Sequence, residues 1–189
     1  MELANILQPV ANLTVVPATI DLAAAEMQLI NEVGREQILA DALAPIATQY
    51  DEILIDCPPS LGLLTINALT AADAVLVPVE CHYMALRGLT QLMQSIEKIQ
   101  RRTNPRLRLL GVLPTMYDNR TLLTRRIEEE ARRYFGPTVY QTVIPRNIKL
   151  GEAPSHGQPI IHYDIGSSGA DAYLRLTKEV LEYGTRSTR

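Results

Sequence analysis

The stretch "YDEILIDCPPS", Tyr50 to Ser60, decides how this chain is read. Three apolar residues, Ile53, Leu54 and Ile55, run into Asp56, and Pro58 and Pro59 stop the segment at once. Such a run predicts a buried strand over Glu52–Asp56 that delivers a carboxylate to its C-terminal edge. An acid set directly on an apolar strand is costly to bury without a partner. Nucleotide-binding α/β proteins use this arrangement to hold a magnesium ion. Its usual companion is a glycine-rich loop whose backbone N–H groups wrap phosphates and whose lysine reaches the β/γ oxygens. The three lysines exclude that loop from this sequence: Lys98 follows Glu97, Lys149 follows Ile148 and Lys178 follows Thr177, and none precedes Ser or Thr.

Working outward, short β-rich runs alternate with helical stretches. "LTVVPA" (Leu13–Ala18) reads as a strand closed by proline, and the segment from Asp21 to Ala47 as helix, with Asp21 placed to cap its start and Gly34 as a break. After Glu52–Asp56 come a helix in "GLLTINALTAA", a strand in "AVLVPVE" and a long amphipathic helix in "ALRGLTQLMQSIEKIQRR", ended near Asn104-Pro105. Then follow a strand in "LRLLGVLP", a helix in "RTLLTRRIEEEARRYFG", a last strand in "VYQTVIP" and a final helix in "GADAYLRLTKEVLEYG". The segment from Arg146 to Ser168 reads as the longest irregular loop, a feature that in compact domains tends to be functional. Alternation of this kind with near-continuous apolar strands predicts an α/β fold: a doubly wound, mostly parallel sheet with helices on both faces. Without repeat or linker, residues 1–189 read as a single domain.

Composition narrows the class. In 189 residues, 47% are hydrophobic and 21% charged, ordinary for a globular chain with a core. With no tryptophan and one phenylalanine, aliphatic packing must dominate. A net charge of −3 gives no whole-molecule attraction to nucleic acid, so any DNA contact needs a local patch. Cys57 and Cys81 stand in no metal-binding spacing and read as reduced thiols. The scattered histidines His82, His156 and His162 are assigned no role. No apolar run approaches membrane-spanning length, and the opening residues lack a signal-peptide pattern, so a cytoplasmic location is expected.

Ligands of such sheets bind beyond the carboxyl ends of the strands. Those ends carry Asp56-Cys57-Pro58-Pro59, Glu80-Cys81-His82, Pro114-Thr115-Met116 and Pro145-Arg146-Asn147. Proline and polar residues end strands everywhere, and Pro78, inside a strand, needs no other explanation. Asp56 is different, because of the apolar run behind it.

Three blocks, "YDEILIDCPPSLGLLTINALTAAD", "GVLPTMYDNRT" and "VIPRNIKLGEAPSHGQPI", taken in this order, resemble the ParA/Soj chromosome- and plasmid-partitioning ATPases of the deviant Walker, P-loop NTPase-like fold. The resemblance runs from about Leu13 to Tyr183. It implies that Asp56 is the Walker B residue, holding magnesium through water, and that Thr115, Met116, Pro145, Arg146 and Asn147 flank the adenine of ATP. It implies a homodimer formed around two nucleotides, binding to DNA without sequence preference, and hydrolysis stimulated by a ParB-type partner. In that family the phosphate loop and an aspartate-rich switch segment precede the point where this chain opens. The expectation is therefore a domain missing its first strand-helix-strand unit, with truncation favoured over a degenerate paralogue. Such a chain is expected to hold ATP and magnesium loosely, to turn over no ATP and to expose one side of Glu52–Asp56, inviting self-association.

Two segments are locally basic. "RTLLTRRIEEEARRYF" offsets five arginines with three glutamates and reads as a solvated helix face. "EKIQRRTNPRLR" sets Lys98, Arg101, Arg102, Arg106 and Arg108 against Glu97 alone, so Arg101 and Arg102 join Arg146 as candidate DNA contacts. Two departures from the resembled pattern stand out: Ser168 where relatives commonly carry Arg, which puts full DNA affinity in doubt, and Arg87 where they carry Glu. Nucleoid association is expected only if DNA binding is retained. Two other readings are a non-catalytic interaction protein and an amide ligase of the cobyrinic acid synthase type. The ligase requires a glutaminase domain with a nucleophilic cysteine. A membrane-binding helix like that of MinD is not expected in "EVLEYGTRSTR", which is short and polar.

Overall fold

The computed structural model describes residues 3–81 and 85–186. His82 lies outside the described residues, as does the side chain of Arg87. The chain forms two compact units, Met1–Asp73 with Gln94–Leu107, and Ala74–Met93 with Arg108–Arg189.

The first unit opens on a hairpin, β1 (Gln8–Val10) paired antiparallel with β2 (Leu13–Val15). Its two-residue turn places Ala11 at φ 51. The expected strand Leu13–Ala18 thus shrinks to three exposed residues and takes an antiparallel partner that alternation did not predict. Helix α1 (Asp21–Leu29) follows, but Asp21 does not cap it: Thr19 Oγ1 accepts the Asp21 N–H at 3.3 Å, leaving Asp21 in the first turn. Gly34, at φ 71, supplies the expected break before α2 (Ile38–Leu43).

The unit's packing gathers on α3 (Leu63–Ala71), which buries Thr65, Asn67, Ala68, Leu69 and Thr70. Buried polar groups must be paired, and these tie the unit together. Asn67 accepts the Leu39 N–H at 3.1 Å and donates to the carbonyls of Arg35 at 2.8 Å and Leu63 at 3.0 Å. At the other end of α3, the buried Asn104 donates to the Leu69 carbonyl at 3.0 Å and the Ala72 carbonyl at 2.7 Å. Glu26 accepts the Leu64 N–H at 3.4 Å, where a carboxylate suits the helix N-terminus.

The segment Tyr50–Ser60 corrects the opening expectation. Residues 52–58 form no helix or strand and pair with no strand among the described residues. A strand is defined by its ladder, and an Ile-Leu-Ile run without one lies open: Leu54 is 94% exposed.

In the second unit β3 (Ala74–Glu80) and β4 (Arg108–Thr115) pair in parallel. The register slips after Val75, so that Leu76 faces Gly111 and Glu80 faces Thr115. Between them in sequence runs α4 (Ala85–Arg102), at the bounds expected from its apolar periodicity. After β4 comes α5 (Leu122–Phe135), capped by Thr121, whose hydroxyl accepts the Thr124 N–H, and ended by Gly136 at φ 58. The expected strand Val139–Pro145 is instead a ribbon held by two isolated parallel bridges, Val139 to Val112 of β4 and Pro145 to Tyr117 just past the end of β4. Between Tyr140 and Ile144, whose N–H groups reach β4, it leaves the ladder. The expected loop Arg146–Ser168 is mostly short helical turns: α6 (Ile148–Glu152), a 3-10 turn at Ala153–His156 and α7 (Ile160–Tyr163). The chain then enters α8 (Ser168–Arg186).

The core of this unit joins Leu113 of β4, Tyr140 and Ile144 of the ribbon, and Ala172 and Leu176 of α8. Gly111 makes that packing possible: a Cβ there would strike the Tyr140 ring and stand 3.0 Å from the Thr138 carbonyl. A smaller cluster, Ala153, Ile160 and Ala170, seats the short helices on the first turn of α8.

Candidate functional site

The strand ends of the second unit converge, as expected, on one rim. Glu80 and Thr115 close the β3–β4 ladder, and the Cys81 N–H donates to the Thr115 carbonyl at 3.2 Å. Met116 then takes a left-handed backbone at φ 52 and turns the chain, leaving its side chain 54% exposed. The turn is locked from both sides. The Tyr117 N–H donates to the Ile144 carbonyl at 3.0 Å, and the Arg146 N–H donates to the Tyr117 carbonyl at 3.0 Å. Thr115, Met116, Pro145, Arg146 and Asn147 are thereby brought together, with Met116 and Arg146 open to solvent.

Asn147 fastens the end of this rim. Its Oδ1 accepts the Lys149 N–H at 2.7 Å, capping α6, and its Nδ2 donates to Ser168 Oγ at 2.7 Å at the start of α8. Ser168, marked in the sequence only as a departure, is thus the partner that orients Asn147. Nothing local in the sequence pairs two residues 21 positions apart.

Along the rim a phenol and a thiol are favoured in their neutral forms and a carboxyl in its charged form. A hydrogen bond with Glu128, then burial, pushes the Tyr117 phenol up. Burial and then the Glu128 charge push the Cys81 thiol up to about 11, against the pull of Arg132. Glu128 itself pairs with Arg132 at 2.8 Å. Hydrogen bonds from Arg120, at 3.0 and 3.2 Å, hold the Asp118 carboxyl below its usual range, with Arg146 adding to the effect. The rim thus presents an exposed thioether, hydrogen-bonded peptide edges and a cation.

The other candidates belong to the first unit. Asp56 is exposed at the end of the unpaired segment, so the burial argument made from its apolar neighbours does not apply to it here. Arg101 and Arg102 close α4, both exposed, and Arg101 reaches Glu97 at 3.8 Å. An exposed pair at that distance is worth little, so both guanidiniums stay available to another anion. Neither cysteine forms a disulfide, and burial, then Asp56, also pushes Cys57 up. Among the described residues no group of His, Cys, Asp and Glu could hold a metal by itself, and no helix is long and apolar enough to cross a membrane.

The AAA domain family matches residues 2–109. The chain is 55% identical over 175 residues to the sporulation initiation inhibitor protein Soj of Bacillus subtilis, covering 93% of this chain and 69% of that protein. It is 51% identical over 173 residues to the chromosome partitioning protein ParA of Myxococcus xanthus, covering 92% of this chain and 61% of that one. The chain thus spans about two thirds of these relatives' length. Among solved structures, cobyrinic acid a,c-diamide synthase from Mycobacterium smegmatis with bound ADP and magnesium superposes with a TM-score of 0.83 at 38% identity, covering all of this chain and 70% of that one. With half its residues shared with Soj and ParA across nearly its whole length, and an α/β fold of the P-loop NTPase kind, the chain belongs to the ParA/Soj family of chromosome-partitioning proteins.

Proposed function

We propose that this chain serves as the base-gripping and magnesium-positioning part of a DNA-partitioning ATPase. In this reading the Met116 turn and Pro145-Arg146-Asn147 flank adenine, and Asp56 orients magnesium through water. The loaded protein dimerises, holds DNA without sequence preference through Arg101, Arg102 and Arg146, answers a ParB-type partner and works in the cytoplasm. The observation that carries the reading is the locked rim: two backbone hydrogen bonds tie Tyr117, next after Met116, to Ile144 and Arg146 at the strand ends, where ligands of open α/β sheets bind.

The residues present fit ATP and magnesium in part. The rim fits a base, and an exposed carboxylate after the strand-like segment fits a hydrated magnesium ion. Nothing in the sequence fits a triphosphate, since no lysine stands in a glycine loop and Lys149 is paired with Glu152 at 2.9 Å. The chain is therefore expected to bind nucleotide weakly and to release no phosphate, because clamping the γ-phosphate supplies most of the catalysis in such enzymes. The 38% identity to a cobyrinic acid a,c-diamide synthase favours an amide ligase as the second reading. Against it, burial pushes the Cys81 thiol up to about 11, the reverse of what a nucleophilic cysteine needs.

The test is a titration of the chain with a fluorescent ATP analogue, with magnesium and with EDTA, in wild type and Asp56→Ala. Weak binding that strengthens with magnesium, and an Asp56→Ala chain that no longer senses the metal, support the proposal. Wild-type binding indifferent to magnesium refutes the metal role of Asp56, and no binding refutes the proposal in favour of a nucleotide-free interaction protein. Phosphate release lost in Asp56→Ala would overturn the expected inactivity.

A further inference from the structure

The ribbon that carries Pro145-Arg146-Asn147 does not follow β4 continuously. Tyr140 N–H reaches the Val112 carbonyl at 2.9 Å and Ile144 N–H the Pro114 carbonyl at 2.9 Å, but the backbone between them leaves the ladder. The amides freed there are not left to water. One carboxylate takes both: Glu179 Oε1 accepts the Gln141 N–H at 2.6 Å and Oε2 accepts the Thr142 N–H at 2.9 Å. Glu179 is half-buried on α8, 38 residues from Gln141. Its helix is anchored to the same core through Ala172 and Leu176.

From this geometry we infer that Glu179 is a positioning residue for the rim: its carboxylate sets the bulge at Gln141-Thr142 and so the path by which Pro145, Arg146 and Asn147 reach Tyr117. Both oxygens are used, each by a different amide, so position and orientation of the bulge are fixed together. Hydrogen bonds to a charged acceptor are about twice as strong as neutral ones. Thr142 is buried, so its amide would lack a partner if the carboxylate were removed. The bulge lies directly before Ile144, whose carbonyl receives the Tyr117 N–H. A shift at Gln141-Thr142 therefore moves the carbonyl that locks the Met116 turn. Asn147 holds the far end of the same segment to Ser168 at the start of α8. One helix thus grips the rim-bearing segment at two places, through Ser168 and through Glu179. The assignment of a nucleoside base as what this rim receives rests on the function proposed above; the grip itself does not.

The experiment compares wild type, Glu179→Ala, the near-isosteric Glu179→Gln and, as a control on the exposed face of the same helix, Lys178→Ala. Amide hydrogen exchange and amide chemical shifts are measured by NMR, and affinity is measured with the fluorescent ATP analogue competed by ATP or GTP. In Glu179→Ala, protection at Gln141 and Thr142 is expected to fall roughly tenfold or more, and the Arg146 and Asn147 amide signals to move. Glu179→Gln, which keeps one acceptor oxygen, is expected to fall between it and wild type, and Lys178→Ala to match wild type. Where wild type prefers ATP to GTP, that preference is expected to narrow in Glu179→Ala. Arg146 and Asn147 signals that coincide with wild type in both Glu179 variants overturn the positioning role, whatever the chain binds. A wild type that binds no analogue overturns the nucleotide assignment and leaves the exchange and shift measurements to decide the grip.

Discussion

Asn104 offers a direct test of how the first unit is held. It lies just past α4, 7% exposed, and makes three hydrogen bonds: Nδ2 to the Leu69 and Ala72 carbonyls, and Oδ1 from the Arg106 N–H at 3.2 Å. Asn104→Ala removes all three. Arg106 is exposed and its amide can turn to water, but the carbonyls at the end of α3 lie against the core, where an unmet group costs about 1–3 kcal/mol. Ala72 is only half-buried, so its carbonyl falls at the low end of that range. The expected loss is roughly 2–4 kcal/mol. Urea denaturation followed by circular dichroism should show a lower midpoint at unchanged slope. At about 2–4 °C per kcal/mol for a chain of this size, Tm should fall by roughly 5–15 °C. Asn104→Asp sharpens the test by setting a carboxylate against two carbonyls. Burial and those acceptors favour its protonated form, so its folded-state pKa is raised. The damage is then smallest below about pH 4, where the unfolded carboxyl is also protonated and a single O–H serves one of the two carbonyls, and grows as pH rises. An Asn104→Ala chain within about 0.5 kcal/mol of wild type would refute the reasoning.

Gly111→Ala should cost about 1–3 kcal/mol by overpacking against Tyr140, read as a lower urea midpoint, while Gly151→Ala, where an added Cβ meets nothing within 4 Å, should not. Iodoacetamide at pH 8.5 should label the exposed Cys57 well before Cys81, because a thiol raised to about 11 from the ordinary 9.0 holds far less thiolate. The sign of the linkage follows: the fold favours the neutral Cys81, so its contribution is intact below about pH 9 and declines as pH rises from there toward 11. Leu54→Lys should reduce self-association in sedimentation, since a charge in an open apolar segment discourages its pairing with another chain; a wild type that sediments as a stable monomer removes the reason for expecting it.

The sequence by itself determined the elements whose signals are local. Helix α4 has the bounds its apolar spacing required, α5 begins at a threonine cap and ends at a glycine, and β3 and β4 follow from uninterrupted apolar runs. The sequence placed Thr115, Met116, Pro145, Arg146 and Asn147 at the ends of two apolar runs, and only the family resemblance made them candidates to flank a base. Partnership between distant segments was decided only in three dimensions. Whether Glu52–Asp56 is a strand depends on a neighbour to bond it, and none is found among the described residues. The hairpin of β1 and β2 arose from three-residue strands too short to show a pattern. Glu179 looks like any acid on a helix's polar face, and Asn104 like a helix stop. Their roles come from amides and carbonyls more than 30 positions away, brought within hydrogen-bond reach by packing. Periodicity records which face of an element is apolar; it carries no record of which polar atom will wait opposite.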